Sequence, residues 1–340
     1  MEAIKNFAKS TIVTLAILSI GLFYTVLVAI GMLVKSLYKG KDYWYIKDRT
    51  LPPLILQDPA WGRHSHVSLK SVKIHYVENG DCSKPLMLFV HGFPEFWFSW
   101  RHQLKHFAKD YWVVAIDMRG YGDSDKPSKV SDYKAKMIEK DVADVVKALQ
   151  KDRCILVGHD WGGIICWGVA ANYPEIVEKL IILNAPHPST FKKKMESSIK
   201  QFLKSWYCFC FTIPYVPEIY FRTQDLEVFR DMFENKLTED ELEAYKYNWG
   251  RKGAFTPPIN YYRNAMHASD ILNPVKYPII TSPTRIIWGE NDLALDIELP
   301  YLAKSHVKNL DIQIVPGASH FVQSDQPDKV NELIEKFVGL

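Results

Sequence analysis

The chain has 340 residues, enough for one large domain or two ordinary ones, and its 47% hydrophobic and 24% charged residues are an ordinary globular balance. Its net charge of +3 comes from 42 basic and 39 acidic side chains, far from the clustered basicity that a phosphate-tracking surface needs, which argues against nucleic acid as a partner. Cys82, Cys154, Cys166, Cys208 and Cys210 are odd in number and lack Cys-x-x-Cys spacing, so neither a disulfide framework nor a zinc site is signalled, and buried free thiols are expected.

After a ten-residue N-terminal tail, residues 11–34 run for 24 positions without a charge. As a helix they are long enough to cross a hydrocarbon core of roughly 30 Å. A secretory h-region is shorter and ends at a small-residue cleavage site, which Leu33-Val34-Lys35 does not resemble, so an uncleaved single-pass anchor is expected. Its orientation is nearly tied, with Lys5, Lys9 and the α-amino group on one side and Lys35, Lys39 and Lys41 on the other. The slight lysine excess after the span, the absence of Asn-x-Ser/Thr acceptors and the unpaired cysteines lean towards a domain on the cytosolic side, with the endoplasmic reticulum as the expected membrane.

Residues 35–65 form a polar, proline-containing connector. Beyond it, 67–77 alternates like an antiparallel edge hairpin, and short apolar runs follow at 86–90, 113–116, 154–157, 180–183, 285–288 and 312–315. Segments 140–151 and 162–172 read as helices between them, so a mostly parallel, buried sheet flanked by helices is predicted over 66–187 and 276–340. Between 188 and 275 the alternation stops and aromatic residues crowd together, which predicts an inserted helical cap at the carboxyl ends of the strands.

The chemistry is carried by residues at strand ends. Gly158-His159-Asp160-Trp161-Gly162-Gly163 directly follows the strand at 154, in a small-x-nucleophile-x-small pattern that lets a sharp strand-to-helix turn lift Asp160 above the sheet. A carboxylate there, where an esterase carries serine, can attack a saturated carbon and form an ester that water must then cleave. Asp292 follows the predicted strand at 285 and His320 the one at 312, in the order nucleophile, acid, histidine. His320 is therefore expected to act as general base on water, with Asp292 orienting it. His91-Gly92-Phe93-Pro94 follows the strand at 86, so the backbone N–H groups of Phe93 and Trp161 are the expected oxyanion hole. His102, His106, His159 and His187 have no ligand spacing and are read as structural; no metal and no cofactor is expected.

These motifs, with Arg119-Gly120-Tyr121-Gly122-Asp123-Ser124, resemble those of epoxide hydrolases of the α/β-hydrolase fold over roughly residues 66–338. With the N-terminal span, the chain is most similar to the membrane-anchored epoxide hydrolases of the 3 and 4 type. The resemblance implies an eight-stranded sheet, an apolar small-molecule epoxide as partner, a lipid epoxide above all, and two cap tyrosines that protonate the opening ring. Asn260-Tyr261-Tyr262-Arg263-Asn264 resembles the family's aromatic-Tyr-Arg-Asn stretch and gives Tyr262 the role of proton donor. The family's other pattern, Tyr, two residues, then Tyr-Phe, is matched to 217–221, which puts Pro217 at the first tyrosine and leaves Tyr215 or Tyr220 as substitutes.

Two other readings use the same residues. A dehalogenase would share the Asp-His-Asp set, but Phe93 stands where haloalkane dehalogenases carry a halide-binding Asn, and Trp161 where fluoroacetate enzymes carry Arg. A silent membrane-tethered binding protein would keep the fold without turnover, with only the displaced tyrosine in its favour. No obligate protein partner is inferred.

Overall fold

The computed structural model describes residues 2–340. The chain opens with one continuous helix, α1 (Glu2–Lys39), which contains no proline and stops at Gly40, whose φ of 60° glycine adopts without penalty. By length and composition this helix is sufficient to cross a membrane. Strands β1 (Arg63–Ser68), β2 (Lys73–Asn79) and β3 (Leu86–Val90) lead to helix α2 (Arg101–Phe107), then β4 (Trp112–Ile116), α3 (Ala135–Ala148), β5 (Cys154–His159), α4 (Asp160–Asn172) and β6 (Val177–Leu183). Eight helices follow: α5 (Pro188–Ser197), α6 (Ile199–Lys204), α7 (Trp206–Cys210), α8 (Val216–Arg222), α9 (Val228–Met232), α10 (Glu239–Gly250), α11 (Thr256–Ala265) and α12 (Ala268–Leu272). The chain closes with β7 (Thr284–Gly289), α13 (Leu299–Leu302), β8 (Leu310–Val315), α14 (Val322–Asp325) and α15 (Pro327–Val338).

The residues pack as two compact units, one of Met1–Gln57, Ser128–Lys134 and Leu203–Val275, the other of Asp58–Pro127, Ala135–Phe202 and Lys276–Leu340. The second unit is an eight-stranded sheet in the order β1-β2-β4-β3-β5-β6-β7-β8. β1 pairs antiparallel with β2, and β2 with β4; every later pairing is parallel. The hairpin read from 67–77 therefore has β1 at the sheet's edge, while β2 lies inside it. Every residue of β3 and β4 is buried, so both faces of the sheet centre are covered, which is why these strands are uninterrupted apolar runs. Because β3, β5, β7 and β8 run parallel, the segments that follow them, carrying Phe93, Asp160, Asp292 and His320, all leave the same edge of the sheet.

The first unit is helical. Its centre is aromatic: Phe221 stacks on Phe255 at 5.1 Å, and Trp249 meets Phe255 at 4.9 Å. The connector is tied to these helices by Arg49, whose nearly buried guanidinium reaches Asp225 at 2.6 Å and Glu243 at 2.7 Å. Of the free cysteines, Cys154, Cys166, Cys208 and Cys210 are buried, whereas Cys82 is exposed, because it sits in the turn between β2 and β3. Burial pushes the Cys154 thiol up to about 12, which leaves it without thiolate character at neutral pH.

Candidate active site

The turn from β5 into α4 is abrupt. Asp160 takes φ of 48°, a left-handed conformation uncommon for a residue with a side chain, at the first position of the helix. Two glycines make room for it. A Cβ on Gly162 would collide with the carbonyl oxygens of Val90 and His91, and one on Gly92 would lie 2.8 Å from Asp160 Oδ1.

The Asp160 carboxylate has two distinct sides. Oδ1 accepts a hydrogen bond from the Phe93 N–H at 2.8 Å, while Oδ2 lies 3.5 Å from His320 Nε2. The other ring nitrogen, Nδ1, is 2.7 Å from Asp292 Oδ2. Burial alone would raise the Asp160 carboxyl, but its bond to His320, the nearby histidine charges and the Phe93 N–H outweigh that and hold it below the usual range. Burial opposes a charged His320, yet Asp292 and Asp160 together raise it well above an ordinary histidine. Trp161 is the second residue of α4, within the first turn, whose amides are not consumed by the helix's own ladder.

Three further residues support this set. Asp292 is fixed from behind: Asn184 Nδ2 donates to its Oδ2 at 2.7 Å, and the N–H groups of Ala294 and Leu295 donate to its Oδ1, each at 2.8 Å. Asn184 Oδ1 in turn accepts from the Gly289 N–H at 2.9 Å. His159, wholly buried, has both nitrogens facing acceptors, with Glu95 Oε2 at 2.6 Å from Nδ1 and the His320 carbonyl oxygen at 2.8 Å from Nε2. Nε2 must donate to that carbonyl, so Nδ1 and Glu95 hold one proton between them. Burial would raise Glu95, but the His159 charge and hydrogen bond with the Gly92 N–H outweigh that and keep it low. The pair thereby clamps the backbone that carries His320.

In the first unit, Tyr262 is buried on α11, edge-on to Phe211 at 4.9 Å and to Tyr207 at 5.9 Å. Tyr215 is 76% exposed at the start of α8, and Tyr220 packs its ring on Phe221. Tyr207 is thus a tyrosine whose ring meets that of Tyr262.

A sequence model of the alpha/beta hydrolase fold family matches residues 85–327. Over 320 residues the chain is 42% identical to epoxide hydrolase 4 of Homo sapiens, covering 90% of this chain and 87% of that one. The chain belongs to the epoxide hydrolases. Epoxide hydrolase 1 of Caenorhabditis elegans is also 42% identical, over 88% of this chain and 75% of its own. Among solved structures, the Bacillus megaterium epoxide hydrolase in complex with an inhibitor superposes with a TM-score of 0.76 at 33% identity, covering 81% of this chain and all of that one.

Within this epoxide hydrolase, sequence motifs point to Asp160, Asp292, His320, Phe93 and Trp161, all in one unit, and pass over Asn184, Glu95 and Tyr207. A signal for Tyr207 is present: Tyr207-Cys208-Phe209-Cys210-Phe211 matches the family's Tyr, two residues, Tyr-Phe pattern except that Cys210 replaces the second tyrosine. Asn184 has no such signal beyond standing just after β6, at φ of 39°, where Asn is better tolerated than most residues. Asn184→Ala removes both bonds to a fully buried site and leaves the Gly289 N–H unpaired, so this epoxide hydrolase should lose about 2–4 kcal/mol of stability. Urea unfolding followed by fluorescence measures it; a loss below about 0.5 kcal/mol would mean water replaces the amide.

Proposed function

We propose that the chain hydrolyses an apolar epoxide to a vicinal diol through an alkyl ester on Asp160. The observation that supports this most is the two-sided carboxylate: Oδ1 rests on an amide donor, where negative charge would develop, while Oδ2 is only loosely held, 3.5 Å from His320 Nε2, and can attack. In the first step a bond forms between Oδ2 and a ring carbon, the carbon–oxygen bond of the ring breaks, and the alkoxide takes a proton from Tyr262, with Tyr207 as second donor. In the second, His320 takes a proton from water as it adds to the ester carbonyl, Phe93 and Trp161 stabilise the oxyanion, and collapse expels the alkoxide, which takes that proton from His320 to leave as the diol and restores the Asp160 carboxylate. Asp292 orients His320 and balances its charge.

The apolar run of α1 supports a membrane-tethered enzyme acting on lipid epoxides, with the endoplasmic reticulum and a cytosolic catalytic side favoured by the lysine balance, the missing glycosylation acceptors and the free thiols. The test of mechanism is a single turnover of fatty-acid and aryl epoxides in water enriched in heavy oxygen. Unlabelled diol, followed by label in the peptide bearing Asp160, supports the ester route; labelled diol in that first turnover points to direct attack by water, and halide release without diol formation would favour a dehalogenase.

The two tyrosines give a second expectation. Tyr262→Phe and Tyr207→Phe should each lower kcat/KM about 10- to 100-fold with unchanged melting temperature, and the double variant about 10³-fold or more, because a missing ring-opening acid contributes on that scale. Equal activity of Tyr207→Phe and the parent would return the second role to Tyr220.

A further inference from the structure

The middle of the uncharged run in α1 is not a free surface. A Cβ on Gly21 would lie 2.6 Å from the Phe209 carbonyl oxygen and 2.7 Å from Thr212 Oγ1. Thr25 Oγ1 is 3.5 Å from Cys210 Sγ, and the rings of Tyr24 and Trp206 are 5.9 Å apart. Ile17, Gly21, Thr25 and Met32 are buried and Val13 and Val28 half-buried, at intervals of three or four residues, and helices α7, α8 and α12 lie against α1. At its end, Lys39 bonds the Gln224 side chain. The helix is thus joined to the rest of its unit along most of its length.

That seam decides between two ways of meeting a bilayer. If residues 11–34 stood upright, Gly21 and Thr25 would lie near the hydrocarbon midplane and would carry α7 there with them. Next to α7, Arg263 donates to the carbonyls of Phe211, at 3.1 Å, and Ile213, at 3.4 Å, and pairs with Glu218 at 2.8 Å. Such groups, with the charged outer faces of α10 and the rest of this unit, are strongly disfavoured at that depth.

We propose that α1 does not cross the bilayer but lies along one phospholipid leaflet, with its unit above it and both of its ends on the same side of the membrane. The inference rests on the reading of α1 as a membrane anchor. The occupant of its outer face is leaflet hydrocarbon, since the exposed residues there, among them Leu15, Leu18, Leu22, Phe23, Leu27 and Ile30, are uncharged. A helix about 10–12 Å across fits within a leaflet of roughly 15 Å. The near-tie of lysines also gains a cause: Lys5 and Lys9 before the run, and Lys35 and Lys41 after it, all face one layer of anionic headgroups, which favours cations at both ends equally. Exposed Tyr38, Trp44, Tyr45 and Trp206 beside the helix supply aromatic groups suited to the interface.

The full chain, carrying a glycosylation acceptor before Met1 in one version and after Leu340 in another, is translated into microsomes. Both acceptors are expected in the same state, and both ends equally sensitive or equally resistant to added protease. A glycosylated end opposite an unglycosylated one means an upright span and overturns the proposal. Depth is read independently in phosphatidylcholine and phosphatidylserine vesicles, with a fluorescent amino acid at Leu15, Leu22 or Ile30 and nitroxide lipids as quenchers. All three positions should be quenched best by labels in the upper part of the acyl chains. Preferential quenching of Leu22 by chain-end labels overturns the in-plane arrangement while leaving the anchor intact, whereas failure to bind vesicles overturns the anchor itself.

Discussion

Asp160→Asn should purify as a folded protein and form diol at least about 10³-fold more slowly than the parent. The backbone tolerates the change. Position 160 takes φ of 48°, and Asn is among the residues that enter the left-handed region at small cost. The Asn side-chain oxygen can still accept the Phe93 N–H that now holds Oδ1 at 2.8 Å, so the loop after β3 keeps its contact. What disappears is the anion. An amide oxygen is a poor nucleophile towards a saturated carbon, and removal of one of the two carboxylates beside His320 lowers its pKa from its present raised value. Product analysis beside a thermal melt separates the two effects. Turnover within tenfold of the parent would show that Asp160 is not the nucleophile, whereas a lost melting transition would show that the charge is needed for folding, and Asp160→Ser would then be compared.

How far the sequence can be read follows from where each signal is stored. The elbow at Asp160 is legible because its glycines have a local reason: Gly162 lies against the carbonyls of Val90 and His91, and no larger residue fits. Asp292 and His320 are legible because a parallel sheet delivers consecutive strand ends to one edge, so chain order carries spatial meaning. Asn184 and Glu95 are not, since their importance lies in burial and in partners distant in the chain, and a lone Asn after a strand or Glu in a loop carries no period. Tyr207, proposed above as the second donor, is hidden differently. The Tyr-Phe pair at 220–221 satisfies the expected pattern more literally than Cys210-Phe211, and only the ring contact with Tyr262 distinguishes the two registers. Composition likewise gives α1 its apolarity but does not say which of its faces is covered, because Gly21 and Thr25 look like ordinary small residues in an apolar run until their contacts are known.

His320→Gln separates the two chemical steps and carries the largest qualitative consequence. On the proposed route ring opening needs Asp160 as an anion and a proton from the tyrosines, neither of which His320 supplies, so the ester should still form. Its hydrolysis needs a base for water and should slow by about 10²–10⁴-fold. Incubation with one equivalent of epoxide should therefore leave the peptide bearing Asp160 heavier by the full mass of the substrate, close to stoichiometrically, while the parent shows little adduct. The pH dependence follows from the same charges. In the free enzyme Asp292 and Asp160 raise His320 well above its ordinary range, which favours the imidazolium, a form that cannot act as a base. Esterification neutralises Asp160 and removes one of those causes, so the pKa of His320 falls in the intermediate, where the base is needed. The parent's kcat should then decline on the acid side with an apparent pKa below that of His320 in the free enzyme, as read by NMR of the imidazole, and His320→Gln should lack that acid limb. A heavy-oxygen experiment on the variant gives the last discrimination: if diol still appears at the parental rate with no adduct, water reaches the ring without an ester, and the two-sided carboxylate at Asp160 serves binding alone.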